Sequence, residues 1–153
     1  ITRTDIVADA GGGSGWLTCF LALYAKKVYC YEKEEHNITV IEHNIKKMGL
    51  NNVTVRKHDI YSSIPCKPDV LTLDVPEPWR VLPHTKKMNP GSFVVCYSPS
   101  ISQSQQTVNS AQGLLVHSVE EVQVRTWSIE GKKVRPEKDF IGPTGFLTFL
   151  RVI

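Results

Sequence analysis

Short apolar runs alternate with helix-spaced apolar residues along most of the 153 positions of this chain. Apolar runs occur at 5–9 and 27–31, and Ile38, Ile41 and Ile45 then recur at the spacing of one helix face. Strands that alternate with helices favour an α/β fold, here a seven-stranded, mostly parallel sheet with helices on both faces and a C-terminal antiparallel hairpin. We predict strands at 5–9, 27–31, 53–58, 70–73, 93–97, 119–127 and 146–153, helices at 16–25, 34–48, 82–88 and 102–111, and a long hairpin loop over the site at 130–144.

A glycine-rich turn joins the first predicted strand to the first predicted helix. It reads Ala10-Gly11-Gly12-Gly13-Ser14-Gly15, and glycines at such a turn let the backbone come close to a ligand. The dinucleotide pattern G-x-G-x-x-G is absent because Trp16 and Thr18 stand where its third glycine would be, and no Gly-Lys-Ser/Thr phosphate loop follows. The remaining Gly-x-Gly-x-Gly pattern indicates a ligand-binding loop, with a flexible turn as the alternative.

An acidic residue follows three of the predicted strands. Glu32 could accept hydrogen bonds from two ribose hydroxyls, or it could simply favour a helix start. Asp59 could accept a hydrogen bond from an adenine amino group, or it could belong to a plain turn. Because parallel strands end at the same edge of a sheet, we expect both acids and Asp74 beside the glycine loop. Together these residues favour a nucleoside cofactor.

A stiff loop with one acid and one large aromatic ring follows the fourth predicted strand. It reads Asp74-Val75-Pro76-Glu77-Pro78-Trp79, and each proline fixes its own φ and pushes the preceding residue toward extended geometry. In α/β sheets, ligands bind at this edge. We interpret the loop as a site for a flat, hydrogen-bonding substrate such as a nucleobase. The alternative is an exposed turn whose aspartate caps the next helix.

Composition limits the class of protein. The chain is 41% apolar and 22% charged, as expected for a soluble domain, and its net charge of +3 is only mildly basic. No apolar run approaches the roughly 18–20 residues needed to span a bilayer, and no signal peptide opens the chain. We therefore predict a cytoplasmic protein without a membrane span or a metal site. Reduced thiols are favoured over disulfides because no C-x-x-C spacing links the four cysteines Cys19, Cys30, Cys66 and Cys96.

The glycine loop, the strand-end acids and the closing hairpin resemble the class I S-adenosylmethionine-dependent methyltransferases over nearly the whole chain. Within that superfamily, residues 73–82 resemble the TrmI-type tRNA 1-methyladenine methyltransferases, which act on an adenine of the T-loop. Residues 97–103 and 135–147 agree with the same family. The family tail usually reads Gly-His-Thr-Gly, whereas here Pro143 stands in place of the histidine, so activity or specificity could be altered.

The resemblance implies a Rossmann-like fold and transfer of a methyl group from S-adenosylmethionine to N1 of a tRNA adenine. It implies that residues 1–153 are the cofactor-binding catalytic domain, and that the small N-terminal β-domain of the family is absent from this chain. The usual oligomer of the family is a tetramer, so we expect a homo-oligomer with tRNA as the macromolecular partner.

The resemblance also assigns site residues. Asp74 is the candidate catalytic residue, because a carboxylate beside the adenine amino group would orient the base and stabilise the developing positive charge. The extruded base would pack against Trp79 or Tyr97. The cofactor-binding set is Gly11, Gly13, Ser14, Gly15, Trp16, Leu17, Glu32, Lys33, Asp59, Ile60 and Asp74. The substrate-binding set is Pro76, Trp79, Tyr97 and Arg135, with Lys86, Lys87, Lys132, Lys133 and Arg135 as candidate phosphate contacts.

Two alternatives remain open. A small-molecule methyltransferase of the precorrin type would share the fold but would not need the Asp-Val-Pro-Glu-Pro-Trp loop. A non-catalytic, tRNA-binding subunit of a methyltransferase typically loses the glycine loop and the strand-end acids, whereas Gly13, Gly15, Glu32 and Asp74 are all present here.

Overall fold

The computed structural model describes residues 1–122, 125–136 and 145–153, and within these ranges it contains nine strands and three α-helices. The strands are β1 Ile6–Ala10, β2 Lys27–Glu32, β3 Val53–Lys57, β4 Val70–Leu73, β5 Phe93–Ser98, β6 Leu114–Glu121, β7 Trp127–Glu130, β8 Lys133–Pro136 and β9 Phe146–Val152. The helices are α1 Trp16–Ala22, α2 Glu35–Lys47 and α3 Ile101–Asn109, and 3-10 turns occupy Pro78–Arg80 and Leu82–Lys87.

Seven strands form one sheet in the order β3-β2-β1-β4-β5-β9-β6, while β7 and β8 pair separately as an antiparallel hairpin. The strands from β3 to β5 are parallel, and β9 runs antiparallel to both β5 and β6. The predicted mostly parallel sheet with an antiparallel C-terminal part is confirmed. The strand order reverses between β1 and β4, and ligands of open α/β sheets bind outside the carboxyl ends of strands at such a point.

Both faces of the sheet are covered by helices, as the hydropathy pattern predicted. Successive strand residues point to opposite faces, so Val7 and Val28 pack with α1 on one face. Their neighbours Ala8 and Leu71, together with Val94, lie on the other face, where α3 packs on β5 and β9. Because both faces are buried, the central strands are continuous apolar runs that the sequence displays directly. No helix in the described ranges is both long and apolar enough to cross a membrane.

Two predicted helices differ from the structure. The helix predicted at 82–88 is a 3-10 turn over Leu82–Lys87, where the N–H of His84 donates to the carbonyl of Val81. The segment is short, and Pro83 offers no N–H, so it does not build an α-helix. The helix predicted at 16–25 ends at Ala22, and its last turn tightens as the N–H of Leu23 donates to the carbonyl of Phe20.

The strand predicted at 119–127 is wrong in both of its limits. β6 Leu114–Glu121 begins five residues earlier, and Trp127 instead begins the separate β7. In the sequence, the alternation of apolar and polar residues continues from the end of β6 to the start of β7. Hydropathy alone therefore cannot show where β6 ends. The loop predicted at 130–144 includes β8, and its remaining residues 137–144, with Pro143 among them, lie outside the described residues.

Candidate functional site

A cleft of about 380 Å³ opens where the strand order reverses, beyond the carboxyl ends of β1, β2, β3 and β4. Eight of the predicted site residues line it, namely Gly11, Gly13, Glu32, Lys33, Asp59, Ile60, Asp74 and Pro76. The other lining residues are Tyr31, Glu34, Asn37, His58, Tyr61 and Val75.

The glycine loop brings the backbone of β1 against the backbone that follows β4. Gly11 has φ of +87°, and its N–H donates to the carbonyl of Tyr31 at 3.1 Å. A Cβ atom at Gly11 would lie 1.9 Å from the carbonyl oxygen of Asp74, a distance that no side chain can occupy. Both the backbone conformation and the contact therefore require glycine at this position. The result is a cleft floor made of main-chain atoms, where a ligand can approach closely.

Glu32 is held as an anion at the wall of the cleft. Its carboxylate accepts hydrogen bonds from the N–H groups of Gly13 at 3.0 Å, Lys33 at 2.7 Å and Glu34 at 3.0 Å. Burial acts to raise the pKa of Glu32, but the backbone N–H donors outweigh it, so the pKa lies below its ordinary value. The bond to Gly13 also ties the glycine loop to the end of β2. A charged acceptor is thus fixed beside that loop.

Asp59 belongs to a turn and also lines the cleft. Its Oδ1 accepts a hydrogen bond from the N–H of Tyr61 at 3.0 Å, and its carbonyl accepts from the N–H of Ser62 at 3.0 Å. The turn that the sequence offered as an alternative to ligand binding is therefore present. It is compatible with a role in the site, because Asp59 lines the cleft together with the two residues that follow it, buried Ile60 and Tyr61.

Asp74 stands at the tip of β4, where its N–H donates to the carbonyl of Ala10 at 2.9 Å. The carboxylate lines the cleft, and partial burial raises its pKa. No protein donor contacts this carboxylate in the described part of the chain, in contrast to Glu32. Its acceptor capacity is therefore available to a ligand.

The loop after Asp74 is fixed from two sides. The N–H of Glu77 donates to the hydroxyl of Tyr61 at 3.0 Å, and the side-chain amide of Gln103, on α3, donates to the carbonyl of Pro76 at 3.3 Å. Trp79 is half-buried in the 3-10 turn Pro78–Arg80. The two prolines and these bonds make the loop a fixed platform, as the sequence predicted.

A buried carboxylate lies beneath the point between β1 and β4 where the strand order reverses. Asp9, only 1% exposed, accepts hydrogen bonds from the hydroxyls of Thr18 at 2.5 Å and Thr72 at 2.6 Å. Burial is the main cause that raises the pKa of Asp9, with a smaller contribution from the charge of Asp74. These bonds connect β1, α1 and β4 directly beneath the glycine loop and Asp74.

Several predicted site residues lie outside the cleft lining. Trp16 is 78% exposed on α1, and Leu17 is exposed beside it. Tyr97 is half-buried at the end of β5, where Gly145 packs so closely that a Cβ there would lie 2.1 Å from its ring. Arg135 is exposed on β8. The remaining members are Trp79 in the 3-10 turn Pro78–Arg80, Ser14 and Gly15 in the glycine loop, and the exposed lysines Lys86, Lys87, Lys132 and Lys133.

Five polar or aromatic lining residues were not predicted from the sequence, namely Tyr31, Glu34, Asn37, His58 and Tyr61. Each lies within five positions of a strand-end acid, so including the first five residues after each acid, whether in a loop or in the first turn of a helix, would have added Glu34, Asn37 and Tyr61. His58 and Tyr31 had been placed inside strands, and their rings meet edge to face with centroids 5.6 Å apart. No cluster of three or more metal-ligating side chains occurs among the residues that the structure describes.

Comparison with known proteins places this geometry in a family context. The sequence profile of the family described as "tRNA methyltransferase complex GCD14 subunit" matches residues 1–140. The tRNA (adenine(58)-N(1))-methyltransferase TrmI of Thermus thermophilus is 32% identical to this chain over 154 aligned positions, which cover 95% of this chain and 60% of the relative.

Two solved structures share the fold. A SAM-dependent O-methyltransferase from Thermotoga maritima superposes with a TM-score of 0.92 at 28% identity, covering 100% of this chain and 61% of that one. The tRNA (m1A58) methyltransferase TrmI from Aquifex aeolicus gives 0.89 at 25% identity, covering 100% and 64%. The Rossmann-like methyltransferase fold is thereby confirmed, and this chain spans about 60% of the length of the relatives that it matches.

Proposed function

The chain belongs to the family of tRNA methyltransferase complex GCD14 subunits, and we propose that it catalyses methyl transfer from S-adenosylmethionine to N1 of an adenine in the T-loop of tRNA. The observation that carries this proposal is the meeting of three features in one cleft: the glycine floor, the fixed Glu32 anion, and the Asp74 carboxylate on a rigid loop. We propose that residues 1–153 form the catalytic domain.

The residues at the cleft fit a nucleoside cofactor. Gly11 and Gly13 leave the floor open to close approach, Glu32 offers a fixed anionic acceptor for ribose hydroxyls, and Asp59 with Ile60 would hold the adenine. S-adenosylmethionine supplies a methyl group already activated by its cationic sulfur. We also assign Ser14, Gly15, Trp16, Leu17 and Lys33 to the cofactor side, as members of the loop and of the strand end that shape it.

Asp74 is the proposed catalytic residue. With S-adenosylmethionine bound, its methyl group would pass from sulfur to the N1 lone pair of the adenine, and the base would become cationic. The Asp74 carboxylate would accept a hydrogen bond from the adenine amino group and stabilise this charge. The rigid loop contributes alignment, which is the main requirement of an in-line transfer. Burial raises the pKa of Asp74. If activity depends on the Asp74 anion, acidification should therefore abolish activity at a higher pH than it would with an ordinary aspartate.

The substrate side of the proposal rests on the platform and on the end of β5. The T-loop adenine must leave its stack to reach the cleft, and Pro76, Trp79 and Tyr97 lie at the edge where it would arrive. Lys86, Lys87 and Arg135 are proposed phosphate contacts. We further propose a homo-oligomer, tetrameric by resemblance, in the cytoplasm; the four free cysteines support a reducing compartment.

The test is methyl transfer from labelled S-adenosylmethionine to an unmodified tRNA transcript by the full-length protein. Asp74→Ala should abolish 1-methyladenosine, identified by mass spectrometry, even at cofactor concentrations that saturate the variant. Glu42→Ala, which removes an exposed acid on α2, is the matched control and should retain activity.

Two outcomes would contradict the proposal. If the protein binds the cofactor but methylates no nucleoside, the tRNA assignment fails, and a small-molecule substrate or a non-catalytic subunit becomes the better explanation. If Asp74→Ala methylates as fast as the unaltered protein, the catalytic role of Asp74 fails even though the reaction stands.

A further inference from the structure

Two loops that line the cleft meet each other although their strands are not neighbours. The β3 turn (residues 58–63) follows β3, the β4 loop (residues 74–77) follows β4, and both supply lining residues. In the sheet order, β2 and β1 separate β3 from β4, so the ends of β3 and β4 lie about 14 Å apart at roughly 4.8 Å for each strand spacing. The hydrogen bond that joins the two loops across this distance belongs to Tyr61.

Each polar group of Tyr61 has a partner in a different place. Its N–H donates to Oδ1 of Asp59 at 3.0 Å, within the β3 turn. Its carbonyl lies 2.9 Å from Nε2 of His84, and because a carbonyl only accepts, that nitrogen carries the proton. Its hydroxyl accepts from the N–H of Glu77 at 3.0 Å, in the β4 loop. Tyr61 therefore ties its own turn to two segments that follow β4.

The Tyr61 side chain is also held along its length. It packs against the buried cluster that includes Ile64 and Val81, and the guanidinium of Arg80 lies 4.7 Å from the centre of its ring. A tyrosine side chain has only two side-chain torsions, so a packed ring keeps its hydroxyl at a fixed distance from its backbone. The hydroxyl thus sets where the Glu77 N–H lies relative to the β3 turn.

The two joined loops carry the two halves of the proposed reaction. Asp59 and Ile60 in the β3 turn are the proposed contacts of the cofactor adenine, and Asp74 at the start of the β4 loop is the proposed contact of the substrate base. Asp74 lies three positions before Glu77, and Pro76 stiffens the chain between them. A displacement of Glu77 would therefore reach the Asp74 carboxylate.

We propose that Tyr61 is a positioning residue for methyl transfer, a proposal that rests on the function proposed above. Through its hydrogen bond with the N–H of Glu77, Tyr61 sets the distance between the cofactor side of the cleft and the Asp74 carboxylate. In-line transfer depends on this alignment, and a misplacement of about 1 Å can lower a rate by roughly 10²-fold. Loss of the bond should therefore reduce turnover without weakening cofactor binding.

The experiment uses Tyr61→Phe in the full-length protein, because this change removes the hydroxyl and keeps the ring. With saturating S-adenosylmethionine and tRNA, kcat should fall about tenfold. The Kd of S-adenosylmethionine, measured by calorimetric titration, should change by less than about twofold. Tyr29→Phe is the matched control, since it removes the hydroxyl of another half-buried tyrosine, on β2 and outside the cleft lining. This control should leave both constants unchanged.

Hydrogen exchange separates a local effect from a general loss of stability. In Tyr61→Phe the amide of Glu77 loses its acceptor, so its exchange should speed up about tenfold. The amide of Asp74, which donates to the carbonyl of Ala10, should exchange at its former rate. Neither amide should change in Tyr29→Phe.

The outcomes separate the two proposals. If the unaltered protein methylates tRNA and Tyr61→Phe turns over equally fast, the positioning role is refuted and the tRNA function stands. Cofactor binding weakened about tenfold in Tyr61→Phe would also refute the role, because Tyr61 would then act through the cofactor pocket. Faster exchange at Asp74 as well as at Glu77 would refute it in favour of a general loss of stability. Failure of the unaltered protein to methylate tRNA would refute both proposals.

Discussion

The two sides of the cleft differ in how their polar groups are held. On the side of β1 and β2, main-chain atoms hold the polar groups. Gly11 packs against the carbonyl of Asp74, and three backbone N–H groups donate to the carboxylate of Glu32. On the side of β5 and the hairpin, exposed side chains such as Trp127 and Arg135 project from short strands. The acceptors of the first side are already fixed by main-chain donors, whereas the cations and apolar side chains of the second side lie outside the cleft lining and are exposed to solvent.

This difference suits two kinds of ligand. A small cofactor has few atoms, so affinity and alignment depend on donors and acceptors that are already in place and need no reorganisation. A large RNA offers many phosphates and bases, so individually weak, exposed contacts add up and can adapt. Substitutions on the β1–β2 side should therefore cost more per residue than substitutions on the β5–hairpin side.

Gly11→Ala should have the largest effect. The new Cβ would meet the carbonyl of Asp74 at 1.9 Å, and φ of +87° is unfavourable for alanine, so we expect a loss of about 3 kcal/mol or more in the free energy of unfolding and no measurable cofactor binding. Gly49→Ala is the control: its φ is +66°, but nothing lies within 4 Å, so its cost should be about 1 kcal/mol. Denaturant unfolding and calorimetric cofactor titration measure both. Equal costs at the two positions would show that backbone strain alone, without contact between the loops, explains the effect.

Glu32→Gln should come next. An amide can keep one acceptor oxygen, but its NH₂ would face an N–H donor that now meets the carboxylate, so we expect about 1.5–3 kcal/mol of lost stability and cofactor affinity lowered roughly 10–100-fold at pH 7. The lowered pKa of Glu32 means that its stabilisation is present above its ordinary value of 4.5 and is lost as pH falls through the folded value.

Unfolding measured from pH 7 to pH 3 checks this sign. The difference in stability between Glu32→Gln and the unaltered protein should shrink below about pH 4.5. The exposed Glu42→Gln on α2 is the control and should show no such change. A difference that grows toward acid pH would contradict the fixed-anion interpretation.

The same contrast explains what the sequence could predict. The central strands and the acids Glu32 and Asp74 were predictable because buried parallel strands are apolar runs and ligands bind where they end. The hairpin was not predictable in detail, because its strands are exposed and their pattern runs on from β6. Tyr61 was missed for another reason: its closeness to Asp59 in the sequence is a local signal, but the hydrogen bond to the N–H of Glu77 that places it against the loop after Asp74 joins residues 16 positions apart.

Thr72→Val tests how much the hydrogen bond between the Thr72 hydroxyl and buried Asp9 contributes to the free energy of unfolding. The variant keeps the shape but leaves Oδ1 of buried Asp9 without its donor at 2.6 Å, so we expect a cost of about 1–2 kcal/mol. Thr148→Val is the matched control from the β5–β9 side, because the Thr148 hydroxyl is fully buried and has no hydrogen-bond partner among the residues that the structure describes. Its removal should be neutral or slightly stabilising. Similar losses at both sites in denaturant unfolding would remove the contrast between the two sides.

Arg80→Gln should have the smallest effect, although Arg80 makes two visible contacts beside the cleft. Its guanidinium lies 2.7 Å from the carboxylate of Glu77 and 4.7 Å from the centre of the Tyr61 ring. Both charged groups are exposed, so water screens the pair and the loss of stability should be too small to separate from the unaltered protein in denaturant unfolding. The platform should survive, because it is held instead by its prolines and by the bond from the Glu77 N–H to Tyr61. A larger loss in unfolding, insensitive to salt, would mean that side-chain charge rather than backbone geometry holds this loop, and the division between the two sides of the cleft would no longer apply there.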